Sequence, residues 1–72
     1  LHMTDEISYK IAKKLKLVRL EKKLTQLELA EKAGLNVNYY AKVERGEAKP
    51  SVVTLHKILK ALNVKSSDVL SF

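Results

Sequence analysis

The stretch TQLELAEKAGLNVNYYAKVERG, residues 25–46, decides the fold of this 72-residue chain. Thr25 is a favourable N-cap residue, and Glu28 three positions later completes the sequence of a capping box. Gly34 is expected to end this first helix, because glycine adopts the left-handed backbone conformation without a Cβ clash. Asn36 can then cap a second helix that runs to the end of the stretch. The pattern therefore predicts two short helices joined by a tight turn.

Two short helices joined in this way form a helix-turn-helix unit, a common device for reading DNA. The charge of the chain agrees, since 14 basic and 8 acidic residues give a formal net charge of +6. A basic balance favours a polyanion such as DNA, RNA or an anionic membrane surface. It also arises from a solvated lysine-rich surface that keeps a small protein in solution. The helix-turn-helix pattern shifts the choice towards nucleic acid.

The composition predicts one globular domain over residues 4–72. Hydrophobic residues make up 46% of the chain and charged residues 31%, and there is no cysteine for a disulfide or a thiolate metal site. The chain therefore suits a reducing compartment. No apolar run approaches the roughly 20 residues that span a bilayer, and we see no signal peptide. Residues 1–3 are interpreted as a cloning remnant that runs into the native Met3.

A first helix is predicted from a cap at Thr4 to about residues 20–23. Ile7, Ile11, Leu15 and Val18 recur at helical spacing and form its apolar stripe. Several lysines lie off this stripe: Lys10, Lys13, Lys14 and Lys16. They are interpreted mainly as a solvated outer face, with a phosphate-facing flank as the alternative.

Two more helices are predicted after the central unit. Pro50 suits a loop, and Ser51 can cap a fourth helix that ends near Asn63. The capping cluster at residues 66–68 precedes a short fifth helix. No segment alternates as a strand would, so the fold class is all-α. The expected core is Ile11, Leu15, Val18, Leu29, Ala30, Tyr40, Val43, Leu55, Ile58 and Leu62. Leu27 is an apolar position of the helix that Thr25 caps.

Nothing in the sequence predicts an enzyme. There is no pair of acids in a plausible cleft and no glycine-rich phosphate loop. His56 lies off the apolar stripe of its helix without a second ligand, so a surface residue is the preferred interpretation over a metal site. We therefore expect no catalytic residue, no metal, no cofactor and no small-molecule ligand.

Several motifs resemble those of the phage repressor and Cro-like (XRE-type) helix-turn-helix family. TQLELA at residues 25–30 is similar to the family's TQ-x-x-LA opening, and VERG at residues 43–46 to its I-E-R-G close. The runs at residues 50–62 and 66–70 resemble the segments that follow, so the likeness covers about residues 15–70. It implies a five-helix, lambda-repressor-like domain that binds double-stranded DNA as a dimer on a near-palindromic operator. Transcriptional repression is the usual output of the family, with activation or autoregulation in some members.

The resemblance assigns base reading to the second helix of the central unit, which enters the major groove. We expect Asn36, Val37, Asn38 and Lys42 to face the bases, while the ring of Tyr40 packs inward. Asn38 can bridge adenine N6 and N7, and Lys42 can donate to guanine O6 or N7. Val37 can touch a thymine methyl group, although it is equally well explained as an incidental surface residue.

Four residues are expected to contact phosphates. The resemblance implies that Gln26 binds a phosphate at the start of a helix, where the backbone amides favour anions. Tyr39 can donate its hydroxyl, and Arg45 and Lys49 flank the loop that follows. Such contacts position a domain on DNA without reading its sequence.

Arg19 and Glu44 have a different role in the resemblance, which implies an ion pair between the first helix and the end of the recognition helix. A phosphate contact by Arg19 is the alternative. A homodimer is expected, with Leu70 and Phe72 near the C-terminus as the candidate interface. The protein is expected to be bacterial, archaeal or phage-encoded and to lie in the cytoplasm, associated with the nucleoid. Two other functions stay open: a protein-interaction module of the same fold, antitoxin-like or coactivator-like, and, more narrowly, a restriction–modification controller protein.

Overall fold

The computed structural model describes residues 6–70, which form five α-helices and no strand. In chain order they are α1 (Glu6–Glu21), α2 (Gln26–Ala33), α3 (Val37–Glu44), α4 (Val52–Leu62) and α5 (Ser66–Leu70). The predicted all-α, five-helix fold is confirmed. The expected cap at Thr4, the remnant at residues 1–3 and Phe72 lie outside the described residues.

The first helix of the central unit is fixed at both ends by its own sequence. The Thr25 hydroxyl accepts the Glu28 amide hydrogen at 3.0 Å, and the Glu28 carboxylate accepts the Thr25 amide hydrogen at 2.8 Å, which completes the predicted capping box. Gly34 ends α2 with φ of +71°. A Cβ added there would meet no heavy atom within 4 Å, so neighbouring atoms leave room for a side chain. Glycine is favoured at this position because of the positive φ alone.

The later helices begin close to the predicted caps. The Asn36 side chain accepts the Tyr39 amide hydrogen at the start of α3, and Ser51 accepts the Thr54 amide hydrogen at the start of α4. At α5 the hydrogen bond comes from Asp68, the last residue of the predicted capping cluster, whose carboxylate accepts the Lys65 amide hydrogen at 2.9 Å from within the first turn.

The core lies where α2 packs against α3 and α4, while α1 closes it against α3 and α5. Tyr40, Leu15 and Leu29 are among its largest fully buried side chains. Two predicted core residues, Ile11 and Leu55, are only half-buried and pack against its edge. Leu27 was counted with the apolar positions of α2, but it is 53% exposed because Leu29 and Ala30 already occupy the inward face.

Candidate nucleic-acid interface

The carboxylate of Glu44 joins three helices at one point. Arg19 on α1 donates from Nε to Oε2 at 2.8 Å and from Nη2 to Oε1 at 2.9 Å. The Tyr40 hydroxyl on α3 donates to Oε2 at 2.6 Å, and the Gln26 amide on α2 donates from Nε2 to Oε1 at 3.1 Å. Arg19 also donates from Nη1 to the Leu24 carbonyl at 2.6 Å. This Glu44 network fixes α3 relative to α1 and to the start of α2.

The Glu44 network is charged and well compensated. Burial by itself would raise the pKa of the Glu44 carboxyl, but the hydrogen bonds from Arg19, Tyr40 and Gln26 outweigh burial and lower that pKa. The hydrogen bond to Glu44 raises the pKa of Arg19. Burial, reinforced by the bond to Glu44, raises the pKa of the Tyr40 hydroxyl. At neutral pH the network therefore holds one cation, one anion and a neutral phenol.

Glu44 also determines which end of the Gln26 amide faces inward. An ionised carboxylate only accepts hydrogen bonds, so the nitrogen of Gln26 must face it. An amide nitrogen carries two hydrogens, and the bond to Glu44 uses one of them. Gln26 is the first residue of α2, where backbone N–H groups point out of the helix. A donor side chain and the helix terminus thus lie together.

The exposed side of α3 carries two of the four residues predicted to face bases. Asn38 and Lys42 are exposed and four positions apart, so they share one helical face. Val37 is half-buried and packs against the core, which leaves only part of its side chain exposed. Asn36 is exposed, but its side-chain oxygen accepts the Tyr39 amide hydrogen as the α3 cap. Tyr40 is fully buried, as expected.

The residues predicted to contact phosphates differ in their surroundings. Tyr39 is half-buried against the core, and Lys49 is exposed in the loop between α3 and α4. Arg45 is already paired, since its Nε and Nη2 donate to the Glu47 carboxylate at 3.0 and 3.1 Å. This ion pair lowers the pKa of Glu47.

Sequence reasoning missed four of these interactions: Tyr40 with Glu44, Gln26 with Glu44, Arg45 with Glu47, and Arg19 with the Leu24 carbonyl. The spacing of four residues between Tyr40 and Glu44 was the available signal for the first, and the spacing of two between Arg45 and Glu47 for the third. Gln26 and Glu44 are 18 positions apart, so only the packing of α2 on α3 brings them together.

Residues 6–70 contain no group of three or more His, Cys, Asp or Glu side chains arranged to hold a metal ion. Within the same range, none of the helices has both the length and the hydrophobicity required to cross a membrane.

Comparison with known proteins gives the same fold and sequence pattern. A family model described as Helix-turn-helix matches residues 15–69. The immunity repressor protein of Bacillus phage phi105 is 40% identical over 60 residues, which are 83% of this chain and 42% of that repressor. The control protein C.BamHI of Bacillus amyloliquefaciens is 35% identical over 71 residues, which are 97% of this chain and 88% of C.BamHI.

Solved structures of similar proteins extend the comparison. The restriction-modification controller protein C.AhdI from Aeromonas hydrophila superimposes with a TM-score of 0.83 at 32% identity, over 86% of this chain and 94% of that one. The controller protein C.Esp1396I, solved as a tetramer in complex with its natural 35-base-pair operator, gives a TM-score of 0.87 at 30% identity, over 93% of this chain and 88% of that one. This chain therefore belongs to the phage repressor and Cro-like helix-turn-helix family of DNA-binding transcriptional regulators.

Proposed function

We propose that this protein is a transcriptional regulator of the controller-protein type that binds a near-palindromic operator as a homodimer. It represses or autoregulates transcription in the cytoplasm, and it reads the operator with α3 in the major groove. The observation that supports this best is the exposed pair Asn38 and Lys42 on one face of α3, a helix that the Glu44 network fixes beside the start of α2. The similarity to the control protein C.BamHI and to the structures of C.AhdI and C.Esp1396I supports the controller type.

Base reading is assigned to the exposed atoms of α3. Asn38 bonds N6 and N7 of an adenine, and Lys42 donates to O6 or N7 of a guanine one helical turn later. Val37 offers the exposed part of its side chain to a thymine methyl group. Asn36 contributes through its amide nitrogen, because its oxygen caps α3.

Phosphate binding is assigned to residues on α2, on α3 and in the loop after α3. On α2, the orientation that Glu44 imposes on Gln26 presents a donor beside the helix N-terminus, which suits an anion. Tyr39 approaches the DNA phosphates from α3, and Lys49 approaches them from the loop that follows. Arg45 joins them only if its bond to Glu47 opens or is shared with the phosphate.

The dimer is proposed to form through apolar residues that the isolated chain leaves exposed. Val52 is 86% exposed and Val53 65% exposed at the start of α4, and Leu70 is 37% exposed at the end of α5. Burying such side chains against a second copy would stabilise the dimer by about 25 cal/mol per Å² of apolar area. Leu70 was part of the predicted patch, and we propose the valines of α4 as a further part of the interface.

Selection of binding sites from random duplex DNA, followed by affinity measurements at two salt concentrations, tests this function. We expect a palindromic motif whose two halves are centred about one helical turn, ~34 Å, apart. The Asn38→Ala/Lys42→Ala double variant, run in parallel, should lose the motif while retaining salt-sensitive binding to random DNA. Failure of the native chain to enrich any sequence would favour the protein-interaction module instead.

A further inference from the structure

The side of α1 turned away from the core is both basic and apolar. Tyr9 and Leu17 are each 51% exposed and Leu20 is 53% exposed. Lys13 and Lys16 lie between them on the same helical face. These five residues are called the outer face of α1 below.

The charges along the middle of α1 all have the same sign. From residue 9 to residue 20, YKIAKKLKLVRL, every charged residue is basic. Arg19 is buried in the Glu44 network, so the charge that α1 presents to solvent comes from its lysines. The acidic residues Glu6 and Glu21 stand only at its two ends.

The outer face has a defined shape. The Lys13 ammonium lies 5.3 Å from the centre of the Tyr9 ring, within cation–π range, so the lysine stem follows the aromatic surface. A shallow groove runs beside Leu17 and Leu20, with Arg45 and Glu47 of the loop after α3 forming its far wall. An apolar floor with cationic side chains along it is the complement of an amphipathic segment with acidic flanks.

We propose that the outer face of α1 docks an acidic amphipathic helix of a partner protein. The partner's apolar side chains lie over Leu17, Leu20 and the Tyr9 ring, and its carboxylates pair with Lys13 and Lys16. Asn38 and Lys42 do not line this groove, whereas Arg45 in its wall is also proposed to contact phosphate when its bond to Glu47 opens. The proposal does not depend on the operator or on dimer formation.

Three other occupants fit the outer face less well. DNA phosphates would satisfy the lysines but would leave Leu17 and Leu20 without apolar contacts. A lipid surface would require an uninterrupted apolar face, whereas Lys13 and Lys16 interrupt this one. A second copy of the chain would place one lysine-rich face against another if the contact were two-fold symmetric, which repulsion disfavours.

A chemical-shift titration of the ¹⁵N-labelled full chain tests the proposal with a synthetic probe. The probe is a peptide of about 16 residues, the length of α1, with leucine at every third or fourth position and glutamate elsewhere. Its control has lysine in place of every glutamate. We expect the acidic peptide to shift signals from residues 9–20 and 45–47 and to bind at least about tenfold more tightly than the control, with the difference falling as salt is added.

Two variants probe the two halves of the contact. Leu17→Ser/Leu20→Ser and Lys13→Glu/Lys16→Glu should each weaken the acidic peptide by about tenfold or more, while circular dichroism shows an unchanged fold. The Lys57→Glu/Lys60→Glu variant makes the same change of charge on exposed positions of α4 and should leave peptide binding within about twofold. Circular dichroism of all three separates lost binding from lost folding.

Other results would overturn the proposal. These are an acidic peptide that does not bind or binds no better than its lysine control, and shifts that map to α4 or α5. If duplex DNA or anionic vesicles shift the outer face and the peptide does not, the occupant is that polyanion. Concentration-dependent sedimentation abolished by Leu17→Ser/Leu20→Ser would identify a second copy of the chain as the occupant.

Discussion

At the scale of single residues, Asn38 and Lys42 are the side chains of α3 best placed to distinguish base pairs. Replacing either with alanine should cost about 1–3 kcal/mol on the selected operator and relax the preference at one base pair, because one donor or acceptor pattern is no longer read. Competition binding against operators with single base-pair changes measures both effects. Equal weakening on every sequence would instead make the residue a phosphate contact.

The ion pair with Glu47 limits the ability of Arg45 to bind a DNA phosphate. The Glu47 carboxylate occupies two guanidinium donors, and it places a negative charge beside the proposed phosphate path. We expect Glu47→Gln to increase affinity for specific and random DNA alike. We also expect affinity to fall more steeply with salt, as for the release of about one more counterion on binding. Glu31→Gln, which removes an equal charge from an exposed position on α2, is the matched control. An identical gain in both variants would mean that net charge alone is responsible and that Arg45 does not contact phosphate.

The sequence predicted which side chains are exposed on α3 better than it predicted what they bond to. Exposure follows from helical periodicity, so Asn38, Lys42 and the buried Tyr40 were placed correctly. Hydrogen bonds between distant residues depend on how helices pack, and periodicity carries no information about packing. The sequence therefore predicted a phosphate contact for Gln26 but did not predict its hydrogen bond to Glu44.

At the scale of helices, local signals located most boundaries. Capping requires only a few neighbouring residues, so Thr25, Gly34, Asn36 and Ser51 could be identified from the sequence. The α3 helix was expected to reach Gly46 but ends at Glu44, because Arg45 and Gly46 turn the chain into the next loop. Leu27, which was left out of the expected core, is exposed, while Leu29, Ala30 and Ala33 form the buried side of α2.

Arg19 holds α1, α2 and α3 together, and its removal tests that connection. Arg19→Ala should lower the free energy of unfolding by about 3–5 kcal/mol, because Glu44 keeps its buried charge without its main partner. Lys16→Ala, a change to an exposed lysine on the same helix, should alter stability by less than about 0.5 kcal/mol. Urea unfolding of both variants gives the comparison. An unchanged midpoint for Arg19→Ala together with lost DNA binding would mean that Arg19 contacts phosphate.

At the scale of the whole molecule, the Glu44 network makes stability depend on acidity. The folded protein lowers the pKa of Glu44 below its ordinary value of 4.5, so in acid the unfolded chain binds more protons than the folded one. The contribution is therefore complete above the ordinary pKa and is lost as the pH falls through the lower, folded pKa. Stability should rise with pH across that window and then level off.

The Glu44→Gln variant isolates this contribution from that of the other carboxylates. It should be less stable than the native chain at neutral pH, since Arg19 then lacks a buried anionic partner. It should also lose less stability as the pH falls below the ordinary glutamate pKa of 4.5, because the residue with the lowered pKa no longer titrates. Urea unfolding at a series of pH values measures both effects, and Glu31→Gln at an exposed position of α2 is the control. If Glu44→Gln keeps the native slope in acid, the sensitivity arises from exposed acids such as Glu28 and Glu47, whose pKa values are also lowered.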